Sequence, residues 1–397
     1  MTSDILRKDN RRNEMSIQKL VKNWNKYQHF TNYDLADEFG VTEATIRRWV
    51  KKENLVRNAD PSKELRHELH TTSLKSKNLA TKKQLREAVK QIQELEEEMG
   101  TILSIKDHGI KTHKIVGTNG KKAQSVAFLV VSDCHLEERV LSDEVNGLNE
   151  YNLQIAEKRM SNLFVNGHKL IKMAQSGSKL DTVVIPILGD VITNNIHEEL
   201  AENNLLGPAD AVIFASKLLI NGIQHIANDR SIKKIIVRCH TGNHGRMTKE
   251  RRNGKNENGM SLETILYHWI ADHFKDNKKI VVEVPDSAIS YLEVLGTRIR
   301  MMHGHAIRYS GGVGGPTIPV NKAIARYDTA RQADLTLLGH FHQFFDGGRF
   351  LINGSVIGTT AFSLSFGHEE PKQAFFLITK DGDTNRGKSI VAPIWLD

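Results

Sequence analysis

Nine residues able to hold a metal ion or move a proton recur in five short groups. They are Asp133-Cys-His135, Gly189-Asp190, Gly242-Asn243-His244, His303-Gly-His305 and Gly339-His340-Phe-His342. Along a strand, residues i and i+2 point the same way, so Asp133 and His135 could present an oxygen and a nitrogen to one ion. Any single group is unremarkable, since a turn acid beside a surface histidine is common. Five in succession, each directly after an apolar run and none relying on a cysteine ligand, are hard to obtain from packing alone.

The runs before these groups read as buried strands: 126–132, 181–188, 233–237, 298–302 and 334–338. Helical patterns fill 152–175, 208–228 and 261–274. Strands alternating with helices predict an α/β domain whose working residues sit where strands end, the usual place for sites in such sheets.

The groups resemble the motifs of the calcineurin-like metallophosphoesterase superfamily, which run Asp-x-His, Gly-Asp, Gly-Asn-His, His and Gly-His-x-His. The resemblance covers about residues 123–397. It implies two mixed β-sheets packed face to face and flanked by helices. It also implies two divalent metal ions, one held by Asp133, His135 and His342, the other by Asn243, His303 and His340, with Asp190 bridging. Within His303-Gly-His305, His303 is the expected ligand because it comes first off the strand, leaving His305 to support the ligands or face substrate. His244 is the expected catalytic histidine facing substrate, beside Asp190. Two cations roughly 3.5 Å apart can hold a phosphoryl oxygen and acidify a bridging water to hydroxide. The donor set suits manganese first, with iron or zinc as alternatives; geometry rather than ligand type decides among them.

One departure stands out. The superfamily usually places an acid after the third-motif histidine, where this chain has Gly245. Without that acid, another group must orient His244, or proton donation to the leaving group is weak. Beyond it, Arg246, Lys249, Arg251, Arg252 and Lys255 could grip phosphates from a basic loop, or merely be solvated. Arg246 and Arg252 are the candidate substrate contacts. Gly311 to Pro316 suits a close backbone approach but is not a nucleotide-binding fingerprint. His197 is expected to be unrelated to the metals, and the turn Asn353-Gly-Ser355 to be structural.

Charge is unevenly spread. Residues 1–90 hold 20 of the 55 Lys and Arg but only 12 of the 47 Asp and Glu, so the whole net charge of +8 lies there. Within this segment Leu35, Ala36 and Phe39 give one helix an apolar face, Gly40 supplies a turn, and Thr42 caps a second helix whose Ile46, Trp49 and Val50 point inward. The stretch resembles helix-turn-helix domains, with Val41 to Trp49 similar to their recognition helix. That implies DNA contact by Thr45, Arg47, Arg48, Lys51 and Lys52; the alternative is a docking or dimerisation module. Farther on, Leu85, Ala88, Ile92, Leu95, Met99 and Ile102 follow a 3,4 spacing. Such a seam over 85–102 could pair two chains as a homodimer or lie on the body of the same chain.

No run of about 18 apolar residues suggests a membrane span. The polar N-terminus lacks a secretory signal's apolar region, and Cys134 and Cys239 read as buried thiols, so a cytoplasmic protein without membrane partners is expected. The expected organisation is a helix-turn-helix domain at 1–60, a helical linker at 61–122 and a metallophosphoesterase domain at 123–397. The expected function is hydrolysis of phosphodiester bonds in DNA, as nuclease or end-processing enzyme. Rival readings are a phosphomonoesterase or protein phosphatase with a docking arm, and a DNA-binding regulator with a degenerate metal site. A helix-turn-helix joined to such a domain also looks like proteins of bacteriophages and prophages.

Overall fold

Two N-caps and one left-handed glycine set the N-terminal helices. Thr31 closes a capping box with Asp34 ahead of Asn32–Phe39. Gly40, at φ +63°, ends that helix in a conformation that side chains rarely adopt. Thr42 then accepts from the Thr45 N–H at 3.3 Å and starts Glu43–Lys52. With the shorter helices 16–22 and Trp24–Tyr27 before them, these elements are α1 to α4. Their common core is Leu20, Tyr27, Leu35, Ala36, Ile46 and Trp49.

The computed structural model describes residues 16–56, 111–112, 123–249, 259–309, 314–365, 367–381 and 384–397, with most positions from 77 to 103. The described positions from 77 to 103 are all helical (α5). The chain divides into two units, Met1–Leu95 and Glu96–Asp397. Within the stretch expected as a linker, Lys111–Thr112 (β1) forms a short strand parallel to Leu292–Glu293.

The larger unit is built on two six-stranded mixed sheets. One has the order β12-β11-β2-β3-β4-β5, the other β1-β6-β7-β8-β10-β9. In chain order the strands are Gln124–Leu129 (β2), Thr182–Ile187 (β3), Lys234–Cys239 (β4), Ile280–Glu283 (β5), Ser290–Val294 (β6) and Thr297–Met301 (β7). Leu335–Leu338 (β8), Phe345–Asp346 (β9), Phe350–Ile352 (β10), Lys372–Asp381 (β11) and Thr384–Trp395 (β12) complete them. Strands β2 to β5 run parallel, as do β7, β8 and β10.

Period-two alternation divides each strand between two cores. Val126, Phe128, Val184, Ile236 and Phe376 face Leu292, Ile299, Met301, Leu335 and Leu351 between the sheets. Phe128 stacks on Phe376 there, with centroids 4.4 Å apart. Ala127, Leu129, Val183, Ile185 and Val237 face outward, against the helices Leu153–Gly177 (α6), Pro208–Ala227 (α8) and Leu262–Phe274 (α9); Glu198–Asn203 is α7. On the far side, Val320, Ile324 and Tyr327 of Thr317–Ala330 (α10) cover Tyr291, Phe350 and Ile352. The fold is α/β, with two mixed sheets face to face and helices on both outer sides, consistent with a metallophosphoesterase-like fold. No helix among the described residues is long and apolar enough to cross a membrane.

Candidate metal centre

Topology explains why distant motifs meet. Because β2, β3 and β4 are parallel neighbours, the segments leaving their C-terminal ends lie side by side. The same holds for β7 and β8 in the facing sheet. Those five segments carry the five groups.

The way the side chains are aimed differs from the strand geometry expected. β2 ends at Leu129, and Asp133 and His135 adopt φ values of +52° and +49°. Asp190, His340 and His342 are also left-handed, at +50°, +70° and +54°. Tight turns after the strands, not i,i+2 alternation, therefore bring these donors inward. Such backbone costs about 1 kcal/mol or more per residue and collects where surrounding contacts over-determine it. Gly189, at φ +90°, shows how close the turns are, since a Cβ there would lie 2.3 Å from the Gly242 nitrogen.

The donors fall into three overlapping groups in which all ligand atoms lie within 4.8 Å of one another. These are Asp133 with His135 and His342; His135 with Asp190 and His244; and Asp190 with His303 and His340. The Nε2 atoms of His135 and His342 are 3.3 Å apart, and His342 Nε2 is 3.5 Å from an Asp133 oxygen. His303 Nε2 lies 2.9 Å from Asp190 and 3.1 Å from the Asn243 amide oxygen. His305 joins no such group, its ring lying 5.5 Å from that of His303.

Ring nitrogens facing away from the centre are held. His303 Nδ1 is 2.7 Å from the Leu188 carbonyl, a contact in which only the nitrogen can donate. His135 Nδ1 lies 3.0 Å from Thr193 Oγ1, which donates to Glu138 at 3.0 Å and so accepts from the imidazole. Both contacts hold a proton on Nδ1 and turn Nε2 toward the centre, the ring orientation a metal ligand needs. Seven oxygen and nitrogen donors, two of them buried carboxylates, fit a pair of divalent cations.

Burial dominates the electrostatics. It pushes Asp133 up to about 7, opposed by His303 and reinforced by Asp190. Asp190 is equally buried, but His303 and His244 hold it well below the usual carboxylate range. The Asp190 carboxylate in turn lifts His303 to about 9 against its burial. Burial lowers His135, His340 and His244, and takes His342 down to about 4.

The question raised by Gly245 has a geometric answer. His244 Nδ1 lies 3.1 Å from the Thr193 carbonyl, which accepts its proton and fixes the ring, while its backbone N–H donates to Asp190 at 2.8 Å. A Cβ on Gly245 would sit 2.6 Å from Ser261 Oγ and 2.7 Å from Glu263 Cγ. The space an acid would fill is thus occupied by Glu263 of α9. That fully buried carboxylate accepts 2.6 Å bonds from the Val191 and Gly242 N–H groups, joining the second and third motifs. Burial and the Asp190 charge push Glu263 up to about 8, with the two N–H donors pulling it down.

Two further supports lie behind the ligands, of which only the turn at Asn353 was expected from sequence. Glu137 accepts from the Thr193 and Asn194 N–H groups and shapes the turn after Asp190. Asn353 donates to Ser132 Oγ, which donates to Asp133, so the turn Asn353-Gly-Ser355 reaches the centre through one hydroxyl. Sequence offered no signal for Thr193, Glu137 or Glu263: Thr193 works through its own carbonyl and hydroxyl on two remote rings, and the two acids through backbone N–H groups of other segments.

Among the remaining candidates, Arg246 donates from its guanidinium to the Asn243 carbonyl at 2.6 Å, placing it beside the ligands. Arg252 lies outside the described residues, and His197 is exposed at the start of α7. In the N-terminal unit Arg47, Arg48, Lys51 and Lys52 are exposed and Thr45 is half-buried; Arg47 pairs with Glu43 of its own helix.

No family model matches the chain, and no curated protein matches it. Solved structures give remote likenesses. A hypothetical protein, PH1004 from Pyrococcus horikoshii OT3, is 12% identical, with a TM-score of 0.33 over 68% of this chain and 88% of that one. Chaetomium thermophilum Vps29 is 13% identical, with a TM-score of 0.29 over 68% and 95%. A protein of unknown function from Aquifex aeolicus, AQ665, is 14% identical, with a TM-score of 0.24 over 58% and 89%. Likenesses this weak establish neither fold nor activity.

Proposed function

We propose that residues 123–397 are a two-metal phosphoesterase acting on phosphodiester bonds in DNA, with the helical unit of residues 1–60 as its DNA-binding part. The observation that carries the phosphoesterase reading is the meeting of seven oxygen and nitrogen donors from five strand ends. Asp133, His135 and His342 would hold one cation, Asn243, His303 and His340 the other, with Asp190 between them. When bound, two divalent cations polarise a phosphoryl group and acidify water.

The chain's own residues do the rest. Arg246, tied to the Asn243 carbonyl, puts a fixed positive charge where a phosphate would dock. His244, held through Nδ1, has Nε2 left to give a proton to the leaving oxygen. A carbonyl partner stabilises an imidazolium less than a carboxylate does, and burial disfavours it further. Proton donation is therefore weak, and substrates with good leaving groups gain most. The DNA reading rests on the net charge of the first 90 residues and on exposed Arg48, Lys51 and Lys52 along α4.

The test is a manganese-supplemented assay on single-stranded, duplex and nicked DNA beside a simple diester, with Asp190→Asn as the blank. Metal-dependent cleavage of DNA that chelator abolishes is the expected result. Turnover of a chromogenic monoester with none of DNA would make the protein a monoesterase. Tight DNA binding by a chain that takes up no metal would make it a regulator.

A further inference from the structure

We propose that α5 pairs with a second copy of this chain in the antiparallel sense, through a seam running from Leu85 to Met99. This rests on nothing said above about phosphate chemistry. Leu85, Val89, Ile92, Leu95 and Met99 lie on described helical positions and expose between 46% and 63% of their surface. Ala88 is exposed as well; Ile102 lies outside the described residues. Apolar side chains repeating at 3,4 spacing over several turns mark a face that some partner covers.

Charge identifies the partner and its direction. Residues 77–90 carry five basic side chains (Lys77, Lys82, Lys83, Arg86, Lys90) against the single acid Glu87. Residues 91–104 carry four acids (Glu94, Glu96, Glu97, Glu98) and no base. That layout is wrong for a lone helix, whose dipole favours acids at its start and bases at its end. It is equally wrong for a parallel pair, which sets like half against like. Turning the second helix about Lys90 reverses both penalties, because each basic half then lies along an acidic one. The same turn sets Leu85 against the partner's Leu95 and Ala88 against the partner's Ile92, a small side chain facing a large one. Lys82 comes opposite the partner's Glu96. A neutral or uniformly charged partner would leave the charge split without a counterpart; a second copy supplies it in full.

The full-length chain tests this by light scattering and sedimentation at micromolar concentration. A dimer is expected. Ile92→Asp weakens it about a hundredfold, because two apolar side chains are lost from the seam. Lys82→Glu weakens it about tenfold, and adding Glu96→Lys restores it. Both native cysteines are buried, so engineered ones report cleanly. Mixed Leu85→Cys and Leu95→Cys chains should form a disulfide-linked dimer on oxidation, and neither variant should do so alone. A monomer, meaning the seam lies on its own body, overturns the proposal. So does self-linking of Leu85→Cys, which marks a parallel pair, or a dimer indifferent to Ile92→Asp. Unchanged thermal unfolding of Ile92→Asp shows that the rest of the chain is intact.

Discussion

In the N-terminal unit the contacts that shape α3 and the basic helix α4 come from neighbours in sequence: Thr31 with Asp34, Gly40 at the turn, Thr42 with Thr45. At the metal centre the opposite holds. Asp133 accepts from the His340 N–H, 207 residues away, and His303 donates to the Leu188 carbonyl at a separation of 115. The first region carries its charges in water on an ordinary helix. The second buries two carboxylates among imidazoles, on turns that five non-glycine residues bend into left-handed backbone. A charged surface can be built locally because solvated charges need only to be displayed. A site for cations needs donors converging from several directions, which no single helix supplies.

That contrast can be broken by substitution. Asp190→Asn should lower hydrolysis by about a thousandfold or more while leaving DNA affinity within about twofold. Losing both together, in parallel cleavage and binding assays, would show that the regions are not independent. His244→Ala should cost about a hundredfold on DNA but under about tenfold on a nitrophenyl diester, whose leaving group needs little proton help. Equal losses on the two would mean that His244 does something other than donate a proton.

Thr193→Val keeps the carbonyl that orients His244 but removes the hydroxyl behind His135. Metal affinity, read by titration, should fall by about 10- to 100-fold, with the substrate's KM little changed. Gly245→Asp supplies the acid the motif lacks, yet it should destabilise the fold by about 1–3 kcal/mol through collision with Glu263, without raising turnover. A more active Gly245→Asp would contradict the geometry of α9. Smallest and most local is Thr42→Ala, expected to cost about 1 kcal/mol in α4 alone. Hydrogen exchange should show faster opening of α4 and no change at the metal centre.

Much of the candidate site was legible because metal chemistry restricts residue types. Asp133, His135, Asp190, Asn243, His303, His340 and His342 announce themselves by identity and by following apolar runs, and the structure gathers all seven. Strands β1, β5, β6 and β9 to β12 and helices α7 and α10 were not read, most of them being short, polar or at a sheet edge. Glu263 was invisible for another reason. It sits in the first turn of a helix, where an acid is ordinary, and only the fold turns it onto the Val191 and Gly242 N–H groups.

By itself, then, the sequence determined which atoms could bind cations, which five runs lead strands into them, and where positive charge collects. Residue type and local period decide those things. Tertiary structure decided how the donors are aimed, what holds His244 without an adjacent acid, and why residue 245 is glycine. Each of these depends on the distance between segments remote in the chain. Two packed sheets set that distance, and no local pattern encodes it.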